Sequence, residues 1–197
     1  MAVSRLLIAG LVAVLASACV NGPRWEATMA RARQERERGD YTAAERSLLD
    51  ALAQADRLHP LHPYELEANT ELARLYFKTG EFAKAKDALT RLVGKLETLY
   101  RQDHPSIGAM HGDLGRACDA LGQLDEAQTH YAKALAVALQ VPAQNAIDYL
   151  YLDMAVNAQR RGLTAEADAL FARAESAARQ LHPGGTIFEE IRAKRGR

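Results

Sequence analysis

The sequence predicts an all-α protein, a solenoid of about four helical hairpins, and two observations carry this prediction. Four glycines, Gly39, Gly80, Gly122 and Gly162, follow one another at intervals of 41, 42 and 40 residues. Around each of them the same pattern of small and apolar residues returns at fixed offsets. A period of this size is typical of arrays of helical pairs, in which each pair buries its apolar face against the next.

The offsets from each glycine define the register of the repeat. Small residues stand seven positions before the glycine and five positions after it, and a large apolar residue stands nine positions after it. Small residues let paired helices approach closely, since larger side chains would overpack the contact at about 1–3 kcal/mol each. The three sets are Ala32, Ala73, Gly115 and Ala155; Ala44, Ala85, Ala127 and Ala167; and Leu48, Leu89, Tyr131 and Phe171.

Local signals predict where the helices begin and end. The glycine of each repeat suits a helix C-terminus, where a positive φ costs no Cβ clash. Prolines stand at or near the first turn of four helical patterns, where a missing N–H is harmless. The predicted helices cover residues 24–38, 42–58, 64–79, 81–100, 106–121, 124–140, 144–161 and 164–180. Residues 182–197 are predicted to form a tail in which a short helix over 187–194 can cap the last repeat.

Three segments carry the pattern best: ELARLYFKTGEFAKAKDAL, DLGRACDALGQLDEAQTHYAKAL and MAVNAQRRGLTAEADALFARA. They resemble the tetratricopeptide repeat. The period near 42, with Asp103-His104-Pro105 before a helix, is closest to the longer variant of kinesin light chains. The resemblance covers residues 24–181 and implies a right-handed α-solenoid. Repeat one departs most, because Arg31 and Glu35 replace apolar or small residues, as expected of a terminal repeat with one face in water.

The first 18 residues read as an export signal, separate from the fold. Arg5 gives a positive start, and the apolar run over 6–15 is too short to span a membrane as a helix. The small residues before Cys19 resemble the lipobox of bacterial lipoproteins. This resemblance implies an acylated Cys19 and a short tether over 19–23. Because Val20 is not the aspartate of an inner-membrane retention signal, it also implies the outer membrane, facing the periplasm.

Two alternatives to acylation stay open. Residues 16–18, Ala-Ser-Ala, also resemble an ordinary secretory cleavage site, which would release the chain, and the apolar run can also stay as an uncleaved anchor. If Cys19 is acylated, Cys118 has no partner for a disulfide within the chain. Cys118 falls on the apolar face of a predicted helix, so we expect a buried free thiol.

Composition and motifs limit the chemistry. The 25 basic and 25 acidic residues balance, so nothing favours nucleic acid as a partner. The sequence has no Gly-rich phosphate loop, no H-E-x-x-H and no C-x-x-C, and we expect neither an enzyme nor a cofactor. His104 and His111 share a predicted helix face near Asp113, but without a third ligand we expect no metal site. The recurrence of His-Pro at connections indicates turns.

The resemblance implies that the first helix of each hairpin lines an inner groove. One inward position carries arginine in three successive repeats, and arginine presents a planar fork suited to carboxylates. Two aromatic residues on this face can act as apolar anchors. The predicted peptide-binding residues are Arg33, Arg74, Phe77, Lys78, Arg116, Tyr149 and Arg160. The expected ligand is an acidic segment or a free C-terminal carboxylate.

A plainer interpretation of the arginines stays open, in which acids of the same face neutralise them and the pairs only solubilise it. The candidate acids are Glu67, Glu71, Asp113 and Asp119.

The resemblance also implies a function. It points to a non-enzymatic, membrane-tethered scaffold that binds protein or peptide partners near the outer membrane, by analogy in envelope, pilus or secretion assembly. The alternative is a regulatory or adaptor subunit that recruits peptidoglycan hydrolases or synthases. Oligomerisation stays open as well, because terminal repeats of such arrays can stack on one another.

Overall fold

The structure, a computed structural model, describes residues 24–57, 63–100, 104–140 and 146–196. Within these ranges all regular secondary structure is helical. The helices are α1 (24–37), α2 (Tyr41–Ala55), α3 (Pro63–Thr79), α4 (Phe82–Leu99), α5 (Pro105–Ala120), α6 (Leu124–Gln140), α7 (Ile147–Arg160), α8 (Thr164–Leu181) and α9 (Ile187–Arg195). The predicted all-α class is confirmed, and every predicted helix end agrees to within three residues.

The chain divides into two compact units, one ending at Glu81 and the other beginning at Phe82. The first unit holds α1 to α3, and α2 packs against α3 within it. The second unit holds α4 to α9. There α5 packs on α6 and α7 packs on α8 as helical hairpins, while α4 packs on α5 and α6 packs on α7. Helix α9 packs on α8 and α7.

Four helices end at the repeating glycines in one shared conformation. Gly39, Gly80, Gly122 and Gly162 have φ between 77° and 79°, a region that glycine enters without strain. At Gly122 the glycine N–H donates to the carbonyl three residues earlier at 3.0 Å, and the next N–H donates to the carbonyl five residues earlier at 2.9 Å. This pair of bonds is the Schellman motif. The sequence period is therefore the period of a helix C-terminal cap.

The register read from the sequence places the core correctly. The small residues at the two matched positions are buried, and the large residues nine positions after each glycine are at most 3% exposed. In repeats three and four, Tyr131 and Phe171 join one apolar cluster with the buried side chains of α9. Ile187 and Ile191 of that helix are 1% and 0% exposed. The predicted capping helix thus covers the apolar face left by α7 and α8.

Polar contacts join the two helices of repeat one. Arg31 Nε donates to Ser47 Oγ at 3.1 Å, and Ser47 Oγ donates to Glu35 at 2.6 Å. These bonds join α1 to α2. The rings of Trp25 and Tyr64 stack at a centroid distance of 4.0 Å, which packs α1 on α3. The polar residues that break the repeat pattern therefore form a contact of their own.

The predicted export signal, Cys19 and the tether over 19–23 lie outside the described residues, as do His59 and His62. In the part of the chain that the structure does describe, no helix combines the length and the apolar character that a membrane span requires.

Candidate functional site

A ladder of ion pairs joins α1 to α3 in the first unit. Arg33 pairs with Glu67 and Arg36 pairs with Glu71, and both pairs connect α1 to α3. Arg74 donates to the same Glu71 at 2.8 Å, so that one carboxylate serves two guanidinium groups. The side chains of Arg33 and Arg74 stay 45% and 65% exposed. Such exposed pairs contribute at most about 1 kcal/mol each.

The same register continues in the second unit, with one change. Arg116 of α5 pairs with Asp113 one turn earlier in the helix. The equivalent position of α7, nine residues before its glycine, holds Asp153. Three residues after it, where α5 carries arginine, α7 carries Val156. No arginine therefore follows Asp153 one turn later on its own helix, and the charge of Arg116 on the neighbouring α5 favours its ionised form instead.

The environment of Asp153 makes its ionised form costly. Burial raises the pKa of this carboxyl from its ordinary 3.8 to about 6. Arg116 opposes that rise, whereas the nearby carboxylates of Asp119 and Asp113 add to it. A pKa that is higher in the folded chain than in the unfolded one means that ionisation of Asp153 destabilises the fold.

We expect Asp153→Asn to raise the free energy of unfolding by about 1–2 kcal/mol at pH 7.5. The stability that protonated Asp153 contributes is complete below its unfolded pKa of 3.8 and is lost as the pH rises through about 6. Asparagine mimics the protonated form at every pH. Urea unfolding of both proteins at pH 4.5 and pH 7.5 should therefore give a difference that grows with pH. A difference of the same size at both values would contradict the assignment to Asp153.

A buried network centres on Asp119 at the end of α5. Tyr131 Oη donates to Asp119 Oδ2 at 2.9 Å, and Asn157 Nδ2 donates to Oδ1 at 2.8 Å. Asn157 Nδ2 also donates to the carbonyl of Leu124 at 3.0 Å. Burial raises the pKa of the Tyr131 phenol, so its hydroxyl stays a donor at neutral pH. The network ties α7 to the hairpin of α5 and α6.

Arg160, one of the predicted groove residues, belongs to this network. It donates to the backbone carbonyl of Asp119 at 2.7 Å and to its Oδ1 at 3.3 Å. Its side chain is 43% exposed. Part of its hydrogen-bonding capacity is therefore committed within the chain.

The other predicted groove residues lie on the two units separately. In the first unit Lys78 is exposed and Phe77 is half-buried, and Arg33 and Arg74 are exposed as well. In the second unit Arg116 and Tyr149 expose 53% and 38%. The acids proposed as internal partners are all used: Glu67, Glu71, Asp113 and Asp119 each take an arginine. The peptide-binding role of these residues stays a prediction.

Histidines follow the sequence expectations only in part. His104 precedes α5 as its N-cap, and its Nδ1 accepts the Ser106 N–H at 3.3 Å, which confirms a turn role. His111 contacts His130 of α6, with 3.1 Å between their Nδ1 atoms. Burial lowers the pKa of both of these imidazoles. Cys118 is buried and free, as expected, and burial raises the pKa of its thiol.

Two residues of these networks were missed in the sequence. Asp153 had a signal, because the acids Glu71 and Asp113 occupy the same place relative to their own glycines. Asn157 had none. The equivalent positions of the other repeats hold Gln34, Leu75 and Ala117.

Comparisons with known proteins agree with this architecture. BtubC (BKLC) from P. vanneervenii has a solved structure that is 19% identical, with a TM-score of 0.79 over 100% of this chain and 82% of that one. Putative kinesin light chain repeats from Podospora anserina are 25% identical, with a TM-score of 0.65 over 88% and 95% of the two chains.

A relative from Homo sapiens, the protein-lysine N-methyltransferase SMYD4, is 27% identical over 118 residues, or 59% of this chain. The chain spans only 15% of the length of that relative. Two family models described as tetratricopeptide repeat match residues 25–94 and 109–140, together more than half of the chain. With its glycine-capped helices in a fixed register, this protein belongs to the tetratricopeptide repeat family.

Proposed function

We propose that the protein is a scaffold, tethered to the outer membrane on its periplasmic side, that binds an acidic segment of a partner protein on the first unit. The tetratricopeptide repeat fold is typical of non-enzymatic protein–protein interaction modules, which supports the binding role. The observation that carries the choice of ligand is the ladder between α1 and α3. In it the two carboxylates of Glu67 and Glu71 serve three arginines.

A ligand carboxylate can enter this ladder at low cost. The ion pairs of Arg33 and Arg74 are exposed, so exchanging their partners loses about 1 kcal/mol or less for each. A planar carboxylate gains bidentate hydrogen bonds from a guanidinium group in return. Lys78 stands one turn after Arg74 and adds positive charge, and the half-buried ring of Phe77 lies beside it in sequence.

The second unit suits an acidic ligand less well. Its first-helix surface carries Asp113 and Asp153 beside Arg116, and part of the hydrogen-bonding capacity of Arg160 is already committed to Asp119. Burial and the nearby carboxylates of Asp119 and Asp113 raise the pKa of Asp153. The carboxylate of an acidic ligand would be repelled by these carboxylates of the second unit. We therefore assign the acidic segment to the first unit.

Acylation of Cys19 is the proposed tether. Helix α1 begins at residue 24, so the few residues between Cys19 and the fold reach at most about 18 Å when fully extended. A partner bound on the first unit would then be held close to the membrane surface.

The charge reversal Arg33→Glu with Arg74→Glu tests the binding surface. We expect the doubly substituted full chain to lose at least tenfold in capture of its envelope partners, because two ligand carboxylate contacts become repulsive. The measurement is quantitative affinity capture from detergent-solubilised envelope, compared with the unchanged protein. The identity of the lost proteins separates assembly components from peptidoglycan hydrolases or synthases.

Matched controls make this result specific. Arg46→Glu with Arg57→Glu makes the same change of charge on α2 and the residues after it, where both side chains are exposed, and should leave capture unchanged. Cys19→Ala should abolish labelling by palmitate and shift the chain out of the membrane fraction. Equal capture by the two charge-reversed proteins would rule out the Arg33–Arg74 surface as the binding site.

A further inference from the structure

Three metal-ligating side chains meet in the second unit, apart from the ladder and from the Asp119 network. The sulfur of Cys118, a carboxylate oxygen of Glu126 and a ring nitrogen of His130 all lie within 4.8 Å of one another. Cys118 lies in the last turn of α5, and the other two lie one turn apart on α6. The glycine-capped turn between these helices brings the three together.

One ring nitrogen of His130 contacts a buried polar group, and the other faces Glu126. Its Nδ1 lies 3.1 Å from Nδ1 of His111, whose Nε2 lies 3.5 Å from a carboxylate oxygen of Glu97. The other nitrogen of His130, Nε2, faces Glu126 Oε1 at 4.0 Å. Metal-bound histidines commonly engage their second nitrogen with a polar group, which fixes tautomer and orientation. His111 is 4% exposed, so this support is itself buried.

The chemistry of the three ligands selects the class of ion. A thiolate, an imidazole and one carboxylate suit Zn²⁺, which takes four tetrahedral ligands and accepts water as the fourth. Cys118 is fully buried, whereas 43% of the Glu126 side chain is exposed. The carboxylate side is therefore the path by which an ion and a water molecule can enter.

Lys86 competes for the same carboxylate. Its Nζ lies 2.7 Å from Glu126 Oε2 and 2.9 Å from the side-chain oxygen of Gln123. Oε2 is thereby engaged while Oε1 faces His130. A bound divalent cation would be repelled by this ammonium group, so removal of its charge should tighten metal binding.

We propose that Cys118, Glu126 and His130 bind one Zn²⁺-like ion, with His111 as a positioning residue and Lys86 as a cation that limits affinity. In the sequence, only His104 with His111 was considered as a metal site, none was expected there, and these three ligands were not included. That pair lies on one predicted helix face, whereas the three proposed ligands come from two helices, on either side of the turn that joins them.

The test uses the full chain without an affinity tag and with Cys19→Ser, which leaves Cys118 as the sole thiol of the two cysteines. We expect Co²⁺ titration to give a thiolate-to-cobalt absorption that saturates at one equivalent, and Zn²⁺ to displace the cobalt. Zn²⁺ should also raise the midpoint of thermal unfolding. Absence of the thiolate absorption at stoichiometric cobalt would overturn the proposal.

Single substitutions then assign the ligands. Cys118→Ser and His130→Gln should each weaken Zn²⁺ binding more than tenfold, and His111→Gln should weaken it about 10–100-fold through the loss of orientation. Lys86→Gln should strengthen binding, an effect that a purely structural lysine would not produce. His182→Gln is the control outside the cluster. Binding that survives both Cys118→Ser and His130→Gln would also overturn the proposal, and circular dichroism with a chelator present confirms that each variant is folded.

Discussion

Replacement of Gly115 with alanine is expected to destabilise the second unit by about 2–4 kcal/mol, although alanine is the better helix former. A Cβ at this position would lie 2.4 Å from Cε1 and 2.5 Å from Cδ1 of Tyr131. The ring cannot move away freely, because it is 1% exposed and its hydroxyl bonds to Asp119 at 2.9 Å. Overpacking costs about 1–3 kcal/mol and a lost buried hydrogen bond costs a similar amount, against about 1 kcal/mol of helix propensity.

The same helix offers a matched control for this substitution. A Cβ added at Gly112 would meet no atom within 4 Å. Gly112→Ala should therefore stabilise the chain by about 0.5–1 kcal/mol, since only the helix propensity changes. Urea unfolding of the two variants should give shifts of opposite sign. Two stabilising shifts would mean that the Tyr131 ring yields without cost.

A compensating substitution tests the contact itself. In repeats one and two the position of Tyr131 holds Leu48 and Leu89, and the position of Gly115 holds alanine. Gly115→Ala combined with Tyr131→Leu restores that pairing of residue types. We expect the double variant to lose at least 1 kcal/mol less than the sum of the two single losses, as residues in direct contact do.

Gly115 shows which part of the packing could be predicted from the sequence and which part could not. The sequence predicted that a small residue stands at this position, because close helix contacts recur at a fixed offset from the capping glycine of each repeat. The sequence did not predict why this repeat has glycine at the position where the other repeats have alanine. That choice of residue depends on the tilt of the Tyr131 ring, which the hydrogen bond to Asp119 holds over the backbone of α5. Local backbone conformation repeats along the chain, whereas side-chain contacts are set by each pair of neighbours.

The ion pairs between α1 and α3 could also be predicted only in part from the sequence. The sequence named the acids that take the arginines, but it did not decide which arginine each acid takes. Arg33 reaches across to Glu67 of another helix, while Arg74 bonds within its own helix to Glu71. An arginine side chain is long enough for both geometries, and the choice depends on the spacing of α1 and α3. The cluster around His130 was missed for a related reason, since its members come from two helices.

The largest loss of stability is expected from Asn157→Asp, at about 3–5 kcal/mol near pH 7.5. In the native chain the Asn157 amide donates to Asp119 and to the carbonyl of Leu124, at 2.8 Å and 3.0 Å. The substitution puts a carboxylate against a carboxylate in a site where Asn157 is 0% exposed. Two buried like charges at this distance cannot both ionise without a large penalty, and Arg160 is the one cation hydrogen-bonded to Asp119 in the described structure.

The pH dependence of this loss identifies its cause. Repulsion raises the pKa of the new pair above that of the unfolded chain, so the pair holds a shared proton more readily when folded. The penalty is therefore present at high pH and is relieved as the pH falls through the raised pKa. Asn157→Leu removes the same hydrogen bonds without adding charge. Its loss of about 2–3 kcal/mol should vary less with pH. Equal losses for the two variants at pH 5 and pH 7.5 would contradict the repulsion.

Exchange of the two side chains separates the network from the charge. Asp119→Asn together with Asn157→Asp restores one donor against one acceptor, so we expect unfolding measurements to recover part of the loss. Recovery will be incomplete because Arg160 bonds to the same Oδ1 atom of Asp119 that Asn157 does, so after the exchange it faces an amide NH2 group that cannot accept its hydrogen bond. The new carboxylate at position 157 also faces the carbonyl of Leu124 without a donor. The other repeats hold no asparagine at the position of Asn157. A recovered double variant would therefore mean that this one network, and not the repeat pattern, specifies how α7 stacks on the hairpin of α5 and α6.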